Sequence, residues 1–115
     1  MFEFAMLMSD GGSALVFNGV FTTSSGTSPV TSATRTLTGN GTIRFDTIGG
    51  VTTSVQYSLN GGAWTTITEG LTLAMVSGDT LAVRSAIVVV SNTTTFNLIN
   101  HSNGSVIEFV TLTRT

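Results

Sequence analysis

Apolar and polar residues alternate with a period of two along much of this 115-residue chain. In Thr53-Ser54-Val55-Gln56-Tyr57-Ser58-Leu59, the residues Val55, Tyr57 and Leu59 fall on one face and Ser54, Gln56 and Ser58 on the other. Thr42 to Ile48 repeats the pattern, with Ile43 and Phe45 inward and Arg44 and Asp46 outward. Thr80 to Arg84 turns Leu81 and Val83 inward, and Thr95–Leu98 and Ile107–Thr113 supply two more strands. Period-2 alternation predicts half-buried strands, and Thr, Val, Ile and Phe are the residues that suit a pleated surface. No window repeats apolar residues at helical spacing. The expected core includes Tyr57, Trp64, Leu81, Val83, Phe96 and Phe109.

Turn chemistry separates the strands. Asn60-Gly61-Gly62 lies between Leu59 and Trp64, where a tight hairpin needs the positive φ that Asn and Gly tolerate. Gly39-Asn40-Gly41, Gly49-Gly50, Ser77-Gly78-Asp79 and Asn103-Gly104 predict four further reversals. Short strands at this spacing define an all-β sandwich or barrel. Thr22 to Pro29 is polar and of low complexity, too poor in apolar surface to fold alone. The expected organisation is therefore an arm over residues 1–33, with strands near 2–8 and 13–21 and a Thr/Ser-rich linker, followed by a β-sandwich over 34–115. An isolated hairpin is marginal in water, so the arm must pack on the main body, the simpler expectation, or on a neighbouring subunit.

Charge is sparse. Four Arg, no Lys and six acids give a net charge of −2, and only 9% of residues are charged, against roughly 25% in an average soluble protein. The polar surface falls to 22 Thr and 13 Ser. Too few cations are present to neutralise a phosphate backbone, which argues against nucleic acid as a partner. The charge-free stretches are rich in Thr and Ser, which argues against a membrane span. With no Cys there is no disulfide or thiolate chemistry. The apolar N-terminus has no basic flank and its first charge is Glu3, so it reads as structure rather than a signal peptide.

The run Val55-Gln56-Tyr57-Ser58-Leu59-Asn60-Gly61-Gly62-Ala63-Trp64 resembles a hairpin of many immunoglobulin-like repeats. Val76-Ser77-Gly78-Asp79-Thr80-Leu81-Ala82-Val83-Arg84 resembles their following strand, and Thr94–Leu98 with Phe109–Thr113 their closing hairpin. The resemblance implies an Ig-like antiparallel β-sandwich with an N-terminal extension, of the kind found in bacteriophage virion proteins and bacterial surface proteins. It covers roughly the last 65 residues. The apolar run Ala86-Ile87-Val88-Val89-Val90 departs from the usual polar loop and implies a buried strand or an interface.

Chemistry-bearing residues are few. His101 is alone in a polar turn, the acids are dispersed, and no metal-ligand spacing or nucleophile elbow occurs. Glu69 and Asp79 each flank a turn glycine, and Asp10-Gly11-Gly12 lacks the spacing and Lys of a phosphate loop. Three Asn-x-Ser/Thr sequons, at Asn40, Asn92 and Asn103, are expected by chance in so Thr-rich a chain. No catalytic residue, metal or cofactor is expected. Trp64 and Tyr57 could form a sugar-stacking platform, but alternation turns Tyr57 toward the core.

The remaining signals concern surfaces. Edge strands lack the charges that discourage edge-to-edge pairing, and two apolar stretches exceed what one small sandwich needs: Phe2, Phe4, Met6 and Met8, and Ile87, Val88, Val89 and Val90. The expectation is a non-enzymatic virion protein, made in a host cytoplasm, acting as capsid decoration or as part of a tail or fibre. Its partners would be coat or tail proteins and copies of itself, with a trimer expected by analogy. A host-surface or glycan-recognition module, or an adhesin-type repeat, is the alternative.

Overall fold

The computed structural model describes residues 14–50 and 54–115; the strand expected at residues 2–8 lies outside them. Eleven strands follow in chain order: β1 (Val16–Phe17), β2 (Thr23–Ser25), β3 (Val30–Thr31), β4 (Arg35–Thr38), β5 (Gly41–Gly50), β6 (Val55–Leu59), β7 (Thr65–Thr66), β8 (Leu71–Met75), β9 (Thr80–Ser85), β10 (Thr93–Asn100) and β11 (Val106–Arg114). They form two sheets. One runs β1-β4-β9-β6-β7, with β3 also on β9; the other runs β2-β11-β10-β5-β8. All pairs are antiparallel except β2 with β11. The β4-β9-β6 set faces β5-β10-β11 as the two layers of a sandwich, and β8, which follows β7 in the chain, returns to the edge of β5.

The two inner faces supply the core. Ile43 and Phe45 from β5, Phe96 and Leu98 from β10, and Val110 and Leu112 from β11 meet Leu37, Leu81 and Val83 from the opposite sheet, all essentially buried. Phe45 is the hub: its ring lies 6.0 Å from Tyr57, nearly parallel, and 5.8 Å from Phe96, edge-on. Each such side chain removed from water contributes about 1.5–3 kcal/mol. Where the sheets meet near the start of β10, Ser85 and Thr94 share a buried hydroxyl bond of 2.9 Å.

Residues 14–33 are paired into both sheets of the sandwich. β1 pairs with β4, β2 with β11 and β3 with β9, and Leu15, Phe17, Phe21 and Val30 are buried in the common core. Phe17 and Phe21 pack edge to face at 4.9 Å. β3 and β4 occupy successive halves of one edge of β9, and Ser32 spans the gap between them. Its amide donates to Val83 O at 2.8 Å, and its hydroxyl accepts from Val83 N at 3.0 Å.

Gly49 and Gly50, where a reversal is expected, are the last two residues of β5, paired with Thr95 and Thr94, and a bulge precedes them. Opposite Phe96 the strand carries two residues, Thr47 and Ile48, and Thr47 has φ 56°. Their amides donate to the Glu69 carboxylate at 2.7 and 2.9 Å. Gly50 has φ 83°, and a Cβ there would stand 2.2 Å from Thr93 O.

Candidate interaction surfaces

Among the described residues, most of the charged side chains act as fasteners for backbone. Glu108 accepts the amides of Phe21 and Thr22, and Glu69 those of the β5 bulge. Asp79 accepts Val76 N at 2.9 Å and Asn60 Nδ2 at 3.0 Å, and these bonds, the backbone one first, hold its carboxyl below the usual carboxylate range. Arg35 lies against Gly19 and donates to Val20 O at 2.8 Å. Arg114 donates to the carbonyls of Ile87 and Val88. Arg44 donates to Asp46 at 2.7 Å and to His101 Nδ1 at 3.0 Å on the exposed face of β5. A carboxylate already holding two donors is poorly placed to serve as a general acid or base. No cluster of three or more His, Cys, Asp or Glu occurs among the described residues.

The expected core residues divide. Leu81, Val83 and Phe96 are fully buried, and Tyr57 is partly buried against the core. Trp64 is not a core residue. Alternation sends Gln56 and Arg84 to the outer face, and Trp64 joins them there, half-buried, with the Arg84 guanidinium 4.2 Å from its ring centroid and Arg84 Nε bonded to Gln56. Phe109 is not buried either: it is 56% exposed. Val110 and Leu112 take the inward positions of β11, so their neighbour Phe109 faces out opposite Asn97.

The expected interface residues also divide. Phe2, Phe4, Met6 and Met8 lie outside the described residues. Ala86 to Val90 is no strand but the loop joining β9 to β10. Ile87 alone enters the core; Val88, Val89 and Val90 are 73%, 59% and 56% exposed. Arg114 clamps the carbonyls beneath them, and Ser91 N donates to Arg114 O at 2.6 Å, so the three valines stand on a fastened loop.

At the other end of β10 lies a groove of about 480 Å³ between the segment Ala14–Val20 and the turn from β10 into β11. Leu15, Val16, Phe17, Val20, Val106 and Ile107 give it apolar walls. No local pattern in the sequence signals this groove, because its two walls, Ala14–Val20 and Asn100–Glu108, lie far apart in the chain. No family model, curated protein or solved structure matches the chain.

Proposed function

We propose that the protein is a non-enzymatic structural component of a phage or virus particle. It would reside in the virion as capsid decoration or as part of a tail or fibre, and work through contacts with coat or tail proteins and with copies of itself. The observation that carries this reading is the exposed Val88-Val89-Val90 triplet on a loop fastened by Arg114. Contiguous exposed β-branched residues lose little freedom by being ordered on a partner, because their side chains are stiff and the loop is already held, and they gain by leaving water. The commitment of Glu69, Asp79 and Glu108 to backbone amides supports a role without acid–base chemistry. Light scattering after gel filtration, across a hundredfold dilution, tests the self-assembling form. A closed oligomer, a trimer by expectation, that Val89→Asp splits supports it; a monomer at every concentration overturns it.

The placement of Trp64 favours a second reading, glycan or host-surface recognition. A partly exposed indole beside Arg84 and Gln56 offers a stacking face with polar neighbours. Under this reading Trp64→Ala abolishes binding on a glycan array while leaving the unfolding free energy within about 1 kcal/mol of the parent.

A further inference from the structure

Among the described residues eight large apolar side chains are exposed, and six of them fall on two patches. Val88, Val89 and Val90 form the loop before β10, while Val16, Val20 and Val106, each more than half exposed, line the groove at its far end. β10 holds eight residues, which separates the patches by roughly 23 Å at the rise of an extended strand. The loop is tied down by Arg114, whose neighbour Thr113 pairs with Thr93 at the near end of β10. It therefore cannot reach the groove of its own molecule.

The two patches match each other. The groove measures about 480 Å³, within the roughly 300–1,000 Å³ of sites that enclose a drug-sized molecule, and a tip of three valines is no larger than such a molecule. Its walls are apolar, and the oxygens on its rim are spent: Asn100 Oδ1 accepts from Ser102, Asn103 Oδ1 from Ser105, and Glu108 from Phe21 and Thr22. A polar ligand would find few acceptors there, whereas an aliphatic knob asks for none. No residue from Ala86 to Asn92 is charged, so the loop brings no ion to be desolvated.

Both surfaces are also fixed before they meet. Asn18 N donates to Thr36 O at 3.1 Å, Asn18 Oδ1 accepts from Thr36 N at 2.9 Å, and Arg35 donates to Val20 O. These bonds hold the groove wall against β4 as Arg114 holds the loop. Surfaces ordered in advance lose little conformational freedom on association.

We infer that the Val88-Val89-Val90 loop of one copy seats in the groove of a second copy, between Val16 on one wall and Val106 on the other. Contact between like patches makes a two-fold dimer and stops. Contact between unlike patches leaves a free loop at one end and a free groove at the other, and it continues until a ring closes or a filament grows. A trimer or a fibre needs a contact of this second kind. The inference rests on the self-assembling form of the particle reading and names its contact.

Val16 and Val89 are 55% and 59% exposed, so Asp at either position should leave the fold intact, which the urea midpoint checks. Light scattering on the full chain should find Val16→Asp and Val89→Asp each dissociating at a concentration at least about tenfold above that of the parent. Because the chain has no Cys, thiols can trap the contact. Val89→Cys oxidised in air with Val16→Cys, or with Val106→Cys, should yield the mixed disulfide dimer in excess of either homodimer. Homodimers in excess, or no bond in both mixtures, would overturn the contact. An oligomer that Val89→Asp splits while Val16→Asp leaves it whole would also overturn it, yet leave the particle reading standing. A parent that stays monomeric at every concentration would remove both.

Discussion

Both carboxylate oxygens of Glu108 accept the amide of Phe21, at 2.9 and 3.0 Å, across 87 positions of sequence. Oε2 also accepts Thr22 N and Thr22 Oγ1, each at 2.9 Å. Phe21 and Thr22 lie where the chain leaves β1 in one sheet for β2 in the other. A crossing segment has no ladder to satisfy its amides, and a buried or half-buried N–H without a partner is costly. Glu108 supplies the missing acceptor. Its charge strengthens the bonds, and hydrogen bonds to charged groups contribute roughly 1.5–3 kcal/mol.

Glu108→Leu should therefore destabilise the fold by about 2–3 kcal/mol, read as a lower urea midpoint at unchanged slope. Glu108→Gln keeps an acceptor oxygen and should recover some of that loss. Equal losses in the two variants would mean that the carboxylate charge, not the acceptor, holds the crossing.

Gly50 and Gly61 both have positive φ, at 83° and 71°, yet they differ in surroundings. A Cβ on Gly61 meets nothing within 4 Å, whereas one on Gly50 meets the Thr93 carbonyl oxygen at 2.2 Å. Gly61→Ala should cost about 1 kcal/mol for the left-handed backbone alone. Gly50→Ala must also push β5 away from β10 and should cost about 2–4 kcal/mol. Thermal unfolding of the two variants checks the order; equal costs would show that the β5–β10 pairing yields without strain.

Asp79 gives the fold a pH dependence of known sign. The Val76 amide and Asn60 favour its charged form, so its folded pKa lies below the unfolded value near ~3.9. The unfolded chain then binds more protons in acid. The stabilisation is present above the unfolded pKa and is lost as pH falls through the depressed folded one. Urea midpoints measured from pH 5 down to pH 2 should decline less steeply for Asp79→Asn than for the parent. Parallel declines would assign the acid sensitivity to other carboxylates.

Strands with one clear apolar series were legible in the sequence: Ile43 and Phe45, Leu81 and Val83, and Phe96 all point where alternation places them. β11 was ambiguous because two apolar series interleave there, Ile107 and Phe109 against Val110 and Leu112. Tertiary packing took the second series, assisted by a bulge that sets Glu108 opposite Leu98 and Val106 opposite Ile99. β2 and β7 were illegible for another reason. Thr23–Ser25 and Thr65–Thr66 carry no apolar pattern, and their backbone pairing leaves no mark on side-chain choice. The run Ile87–Val90 reads as continuous burial, yet only Ile87 faces the core, since nothing in an apolar run reports where a strand stops. The Glu108 and Glu69 fastenings and the groove depend on residues brought together by topology, and no local spacing announces them.

The parallel pairing of β2 with β11, which sets Thr23 beside Leu112 and Ser25 beside Arg114, also bears on how fast the molecule forms. Its first sheet-to-sheet crossing has no partner until the last strand is in place, so the slowest loop to close is almost the whole chain. Non-local pairings of this kind put folding in the millisecond-to-second range. During that interval the Thr- and Ser-coated strands have few charges to keep other chains away from their edges, so refolding yield should fall as protein concentration rises, even where the finished sandwich remains soluble.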